Sequence, residues 1–202
     1  MAATAARPAT GPLRVDPATG LLEGVHYQPS PNQDDRPEGM PVDLVVIHGI
    51  SLPPDQFGGP WIEDLFLGRL DPTAHPFFEQ LRDLRVSAHV LIRRSGAIAQ
   101  YVPFHCKAWH AGESCWQGRE RCNQFSVGIE LEGSRHVPYE SAQYESLARV
   151  LAAVTRVYPA ITPDRVVGHS DVAPGRKSDP WQHFDWPRLH RLLAEHREGP
   201  AG

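Results

Sequence analysis

The chain has 202 residues, of which 41% are hydrophobic and 22% charged, with a formal net charge of −4. That length supports one sizeable core and leaves little for a second, and the balance of apolar and charged residues excludes both a disordered chain and a coiled coil. The mild acidity argues against the broad electrostatic attraction that nucleic-acid binders and polybasic membrane proteins use, so neither nucleic acid nor a membrane is expected as a partner.

In chain order, Met1–Pro12 are rich in Ala, Thr and Pro and lack the continuous apolar stretch of a secretory signal, so a cytoplasmic protein is expected. Residues 1–28 read as a mobile N-terminal extension, residues 29–196 as the folded domain and 197–202 as a C-terminal tail. Up to about Pro41 the chain carries many Pro, Gly and Asp residues and little periodicity, which predicts extended chain over the surface. No later segment approaches the roughly 20 apolar residues needed to cross a bilayer.

Val42–His48 reads as a buried strand, followed by a Pro- and Gly-rich loop over Gly49–Pro60. Pro76–Leu84 places Phe77, Phe78, Leu81 and Leu84 at helical spacing, predicting a short amphipathic helix over one sheet face. Ala88–Arg93 and Ala97–Val102 are strand-like and flank Arg94-Ser95-Gly96, a hairpin turn with Gly96 at positive φ. Ser126–Glu132 is a further strand. Over Ala142–Val157, Tyr144, Leu147, Ala148, Leu151, Val154 and Val157 form one stripe, and Pro159 ends that helix. Arg165–His169 predicts a short strand. Asp185 caps a last helix with Pro187 in its first turn and Leu189, Leu192 and Leu193 facing inward. Mixed strands and helices with a hairpin between them predict an α/β fold, one domain with a central mixed β-sheet flanked by helices.

Chemistry is expected where strands stop, because a side chain at a strand end is aimed by the scaffold yet open to ligands. His48 and His169 each end an apolar run, and neighbouring strands would bring them within metal-bridging distance. Asp179 lies ten residues after His169, and Pro174 and Gly175 can turn the chain so that it returns to the same point. Two imidazoles and a carboxylate make a catalytic zinc site with a fourth position open to water. Spacing alone equally fits strand-end histidines bonded to backbone. In Ser126–Glu132, alternation sets Val127, Ile129 and Leu131 on one face and Glu130 with Glu132 on the other. Such acids also mark a solvated sheet face, but facing a metal Glu130 would take a proton from bound water and return one to the departing amine. Lys177, two residues before Asp179, would neutralise the oxyanion formed on attack at an amide, or is a plain surface lysine.

The ordered motifs His48–Pro54, Phe57–Ile62, Leu84–His89, Gln100–Phe104, Ala108–Gly112, Gly118–Asn123, Gly128–Gly133, and Gly168-His169 with Arg176–Pro180 resemble the 1,6-anhydro-N-acetylmuramyl-L-alanine amidases, the AmpD family, over about Pro29 to Asp185. The resemblance implies a fold shared with peptidoglycan recognition proteins and phage amidases, with zinc in a surface cleft. It also implies His48, His169 and Asp179 as zinc ligands, Glu130 as the catalytic acid/base and Lys177 as the transition-state stabiliser. The implied activity is cleavage between anhydro-N-acetylmuramic acid and L-alanine in muropeptides during cytoplasmic cell-wall recycling; a monomer is expected.

For the substrate, Arg121 and Arg85 are expected to pair with carboxylates of the stem peptide, with surface ion pairing as the other reading. Trp109 and His110 are expected to line the cleft beside the sugar or lactyl group, although core packing also accounts for Trp109. Family members commonly carry Asn directly after the first zinc histidine, where this chain has Gly49. That departure removes an amide able to hold the peptide backbone. Cys106, Cys115 and Cys122 are odd in number and lack a CxxC pair, which fits reduced thiols, with a Cys106–Cys115 or Cys115–Cys122 bridge as the alternative. Two rival functions follow from the same residues: a muropeptide-binding sensor that does not cut, and an amidase acting on intact peptidoglycan.

Overall fold

A computed structural model describes residues 12–198. A mixed six-stranded sheet forms the centre of the fold, from β1 (His26–Tyr27), β2 (Leu44–Ile50), β3 (Val90–Ile92), β4 (Ile98–Gln100), β5 (Ser126–Glu132) and β6 (Val166–Gly168), in the spatial order β6-β2-β5-β3-β4-β1. β6, β2, β5 and β3 run parallel, and only the β3–β4 hairpin is antiparallel. The turn between β3 and β4 has Gly96 at φ 81°, a conformation that glycine adopts without steric cost.

Strand alternation sorts the sheet's two faces. Val45 and Ile47 of β2, Val90 and Ile92 of β3, and Val127, Ile129 and Leu131 of β5 share a core with Tyr144, Leu147 and Leu151 of α2 (Ser141–Val157) and Leu189 and Leu193 of α4 (Trp186–Glu198). The apolar stripe predicted for α2 is therefore its buried face. Glu140 caps this helix through a capping box with Gln143, and the Asp185 carboxylate accepts from the Arg188 N–H at the start of α4. On the opposite face, Leu91 packs with Leu52, Phe78, Tyr101 and α1 (Trp61–Phe66), while Leu44, Val46 and Val167 pack with Ala111, Cys122 and Phe125. The functional cleft opens between these two smaller clusters.

Three expectations change. Residues 12–28 are not an extension beside the domain: Leu13, Val15 and Leu22 are buried in the main core, and the buried Gln100 side chain bonds to the Leu22 N–H and the Gly20 carbonyl. Residues 1–11 and 199–202 lie outside the described residues, so the outermost parts of the expected extension and tail do too. The helix expected over Pro76–Leu84 is a 3-10 turn, Pro76–Leu81, which buries Phe78 and leaves Leu84 exposed. The turn stops at Leu81, so Leu84 lies beyond it and is not held on the face that Phe78 presents. Finally, α1 lies where no helix is expected, a single short stretch closed in by Pro60 and the left-handed Gly68. All three cysteines are free, and among the described residues no helix is long and apolar enough to cross a membrane.

Candidate active site

β2 and β5 pair in parallel register, so that His48 and Glu130 stand side by side at the C-terminal ends of their strands and project from the same face. β6 pairs with the other edge of β2 in the register Val166↔Val45, Val167↔Val46 and Gly168↔Ile47. Extending that register by one residue sets His169 beside His48. There the chain turns into the short helix α3 (His169–Val172), and the loop beyond it, with Gly175 at φ 77°, returns so that the Ser170 N–H donates to the Asp179 carbonyl. Open sheets of parallel strands place their ligands at this end.

Three atoms meet at the turn. His48 Nδ1 lies 2.9 Å from His169 Nδ1 and 3.4 Å from Asp179 Oδ2, and His169 Nδ1 lies 3.1 Å from the same oxygen. His48 and His169 are 1% and 4% exposed. Burial pushes the His48 imidazole down to about 4, so at neutral pH it offers a lone pair and no charge. His169 Nε2 is 3.2 Å from the Ala111 carbonyl. A carbonyl only accepts, so Nε2 carries the ring proton and His169 Nδ1 is a bare lone pair. Among the described residues this is the one group of three His, Cys, Asp or Glu side chains close enough to share an ion.

Glu130 adds a carboxylate whose Oε2 is buried and without a hydrogen-bond partner. Burial, and then the nearby charge of Asp179, raise its pKa well above the ordinary carboxylate value, with Lys177 opposing the shift. Such a carboxyl readily takes up a proton. Glu132, two residues on, does not join it. It is 2% exposed and accepts from the Gly58 N–H at 2.6 Å, the Arg94 N–H at 3.1 Å and Arg93 Nη1 at 3.2 Å, anchoring the loop after β2.

His48, Glu130, His169, Lys177 and Asp179 all line one cleft of about 410 Å³, and Arg85 and Trp109 line it as well. Trp109 donates from Nε1 to Asp34 at 2.8 Å, which fixes the indole, and exposed Arg85 donates to the carbonyls of Arg82 and Leu84. Arg121 lies elsewhere, in an adjoining depression of about 890 Å³ that shares only Gly112 and Arg176 with the first. His110 also lines the first cleft. It is 8% exposed, and both ring nitrogens are engaged, Nδ1 with His48 Nε2 at 2.9 Å and Nε2 with Ser126 Oγ at 3.1 Å, which leaves neither for a sugar or lactyl group.

Two site features escaped sequence reasoning. Arg176 donates to the carbonyls of Ala111 and Glu113 and so ties the Asp179 loop to the segment under His169. Gly49 is not merely a missing amide. A Cβ there would lie 2.3 Å from Tyr139 Oη and 2.4 Å from Cζ3 of Trp181, so the space for a side chain is filled by another part of the chain.

Residues 38–182 match the family described as N-acetylmuramoyl-L-alanine amidase. The chain is 54% identical over 184 residues to the 1,6-anhydro-N-acetylmuramyl-L-alanine amidase AmpD of Salmonella typhimurium, covering 90% of this chain and 98% of that protein. A crystal structure of AmpD superposes with a TM-score of 0.84 at 54% identity, covering 87% of this chain and 97% of the other. The amidase AmiD from E. coli, solved with the substrate anhydro-N-acetylmuramic acid-L-Ala-D-gamma-Glu-L-Lys, matches with a TM-score of 0.54 at 31% identity over 78% of this chain and 60% of its own.

Proposed function

Since the chain belongs to the N-acetylmuramoyl-L-alanine amidase family, we propose that it hydrolyses the amide joining 1,6-anhydro-N-acetylmuramic acid to L-alanine in muropeptides, using zinc held by His48, His169 and Asp179. The convergence of two imidazole nitrogens and a carboxylate oxygen beside the unpartnered Glu130 carries this reading. The AmpD relatives are named for that reaction, and the AmiD complex holds a substrate of the same kind.

The donor set suits zinc. Bonds of about 2.0–2.2 Å in a tetrahedral site would set ligand atoms roughly 3.3–3.6 Å apart, near the 2.9, 3.1 and 3.4 Å found here. Nitrogen and carboxylate donors are those of hydrolytic zinc sites with three protein ligands and one open position. When bound there, zinc supplies a Lewis acid for the scissile carbonyl and lowers the pKa of water.

Glu130 takes the proton from the attacking water and passes it to the L-alanine nitrogen as that amine leaves. Its raised pKa and free Oε2 suit both transfers. Lys177 brings positive charge to the carbonyl oxygen as it becomes negative. Trp109 offers a rigid aromatic wall, and Arg85 and, from the adjoining depression, Arg121 offer guanidinium forks to stem-peptide carboxylates. The proposed set comes from one chain, so a monomer suffices. Three free thiols fit a reducing cytoplasm, where the recycling of wall fragments would place this enzyme.

The experiment is incubation of zinc-loaded and chelated protein with anhydro- and non-anhydro-muropeptides, followed by mass spectrometry. Release of the stem peptide from the anhydro substrate by the loaded protein alone is expected. Equal release after chelation overturns the zinc assignment, and no release under any condition overturns the activity.

A further inference from the structure

His110 occupies an unusual position. Its ring lies directly on β5, where a Cβ on Gly128 would come within 2.3 Å of His110 Cγ, so only glycine lets the imidazole settle there. Asn123 Oδ1 accepts from the N–H groups of His110 (3.3 Å) and Ala111 (2.8 Å), pinning the backbone of the pair. From that pinned dipeptide, His110 reaches His48 through its side chain, and Ala111 reaches His169 through its carbonyl.

The hydrogen bonds beyond His110 run in one direction only. Ser126 Oγ lies 2.6 Å from the Cys122 carbonyl, which can only accept, so the single hydroxyl proton points there. Ser126 Oγ must then accept from His110 Nε2, which places the His110 proton on Nε2 and leaves Nδ1 as an acceptor. His110 Nδ1 in turn accepts from His48 Nε2, so the His48 proton sits on Nε2 and Nδ1 is bare. The chain from the Cys122 carbonyl to His48 admits one arrangement, and it aims the free nitrogen of His48 at Asp179 and at the equally bare Nδ1 of His169.

We propose that His110, with Ser126 behind it, is a positioning residue that fixes the tautomer of His48 so that Nδ1 is always available to a metal ion. This rests on the reading of His48, His169 and Asp179 as ligands. A neutral imidazole takes here the place usually filled by a carboxylate, carbonyl or water behind a ligating histidine. Without the terminal acceptor, His110 could carry its proton on Nδ1 and drive the His48 proton onto the nitrogen that faces the ion.

The test has a metal-free and a metal-bound arm. In metal-free wild type labelled with 15N-histidine, two-bond proton–nitrogen correlations should show His48 protonated at Nε2 and bare at Nδ1. The opposite tautomer, or a mixture, overturns the proposal with no variant needed. In the second arm, chelator competition measures zinc affinity. His110→Phe, which keeps the ring shape and loses the acceptor, and Ser126→Ala, which loses the terminus, should each weaken zinc by about 10- to 100-fold. His110→Gln, whose amide oxygen can accept from His48, should recover a large part of that loss. Equal affinities in wild type and both weakening variants overturn the role of His110. Absence of zinc binding by wild type, with His48→Ala no different, overturns the ligand assignment instead.

Discussion

Trp181 occupies the space in which a side chain on residue 49 would stand, with its Cζ3 atom 2.4 Å from the ideal Cβ position of Gly49. Trp181 itself sits at φ 63°, a left-handed conformation that costs a bulky residue about 1–3 kcal/mol. The two oddities belong together: a glycine next to a proposed ligand, and a tryptophan held in a glycine-like conformation two residues after another. Gly49→Asn alone should therefore lower stability by about 1–3 kcal/mol through overpacking. Adding Trp181→Gly should return part of that loss, because the ring is gone and glycine is at ease at this φ. Thermal unfolding of the two single variants and the double variant measures the coupling, and strictly additive effects would show that the contact does not matter.

Replacing Glu130 by Gln should leave zinc stoichiometry near that of wild type and lower turnover by about 10²- to 10⁴-fold, the range for loss of a general base. Metal analysis and an amidase assay on the same preparation separate the two effects. Turnover within a few-fold of wild type would remove Glu130 from the reaction.

The same residue links stability to pH. Its folded carboxyl titrates well above its unfolded counterpart, which lies near about 4.3. Its contribution is then fully present below the unfolded value and is lost as pH rises through the folded one, because ionisation is disfavoured only in the folded state. Metal-free Glu130→Gln should escape that loss. Urea unfolding of the two metal-free proteins should give a gap in favour of the variant that is smallest near pH 4 and widens toward neutrality; a gap independent of pH would contradict the assigned shift.

Lys177→Met should lower kcat by about 10²- to 10³-fold, the range measured when one oxyanion donor is lost, and leave KM little changed. A rise in KM with kcat preserved would mark Lys177 as a substrate contact.

Zinc at about 100 times its Kd should stabilise the protein by about 2.7 kcal/mol. Differential scanning fluorimetry with and without zinc reads this as a rise in Tm. His169→Ala should abolish the rise, and an unchanged response would move the metal to other donors.

Much of this fold was legible because its signals are local. β5 runs over Ser126–Glu132 as alternation predicts, α2 begins at Ser141 and ends at Val157 where stripe and proline predict, and the hairpin turns on Gly96. His48, Glu130, His169 and Asp179 were accessible because strand ends and loop turns limit where such side chains can point. Two-residue strands such as β1 have no period to read, and α1 is too short to show one. The bond from His110 to His48 was hidden for a different reason. Its direction depends on Gly128 in a strand and Ser126 at that strand's start, and no local pattern connects a loop histidine to either. Arg121 shares a motif with Asn123 yet lines another depression, and its left-handed backbone at φ 60° is a feature that no sequence pattern here signals.

The proposed ligands come from a strand that begins at Leu44 and from the turn that follows Gly168, 121 residues separating the two histidines. An ion bridging them would act as a stitch between an early part of the chain and a late one, closing a loop that contains most of the sheet. Metal starvation should then do more than silence the enzyme. The edge strand β6 would keep its backbone pairing with β2, but the turn carrying Asp179 would lose one of its ties to His48, and proteases would find that turn before they find α2.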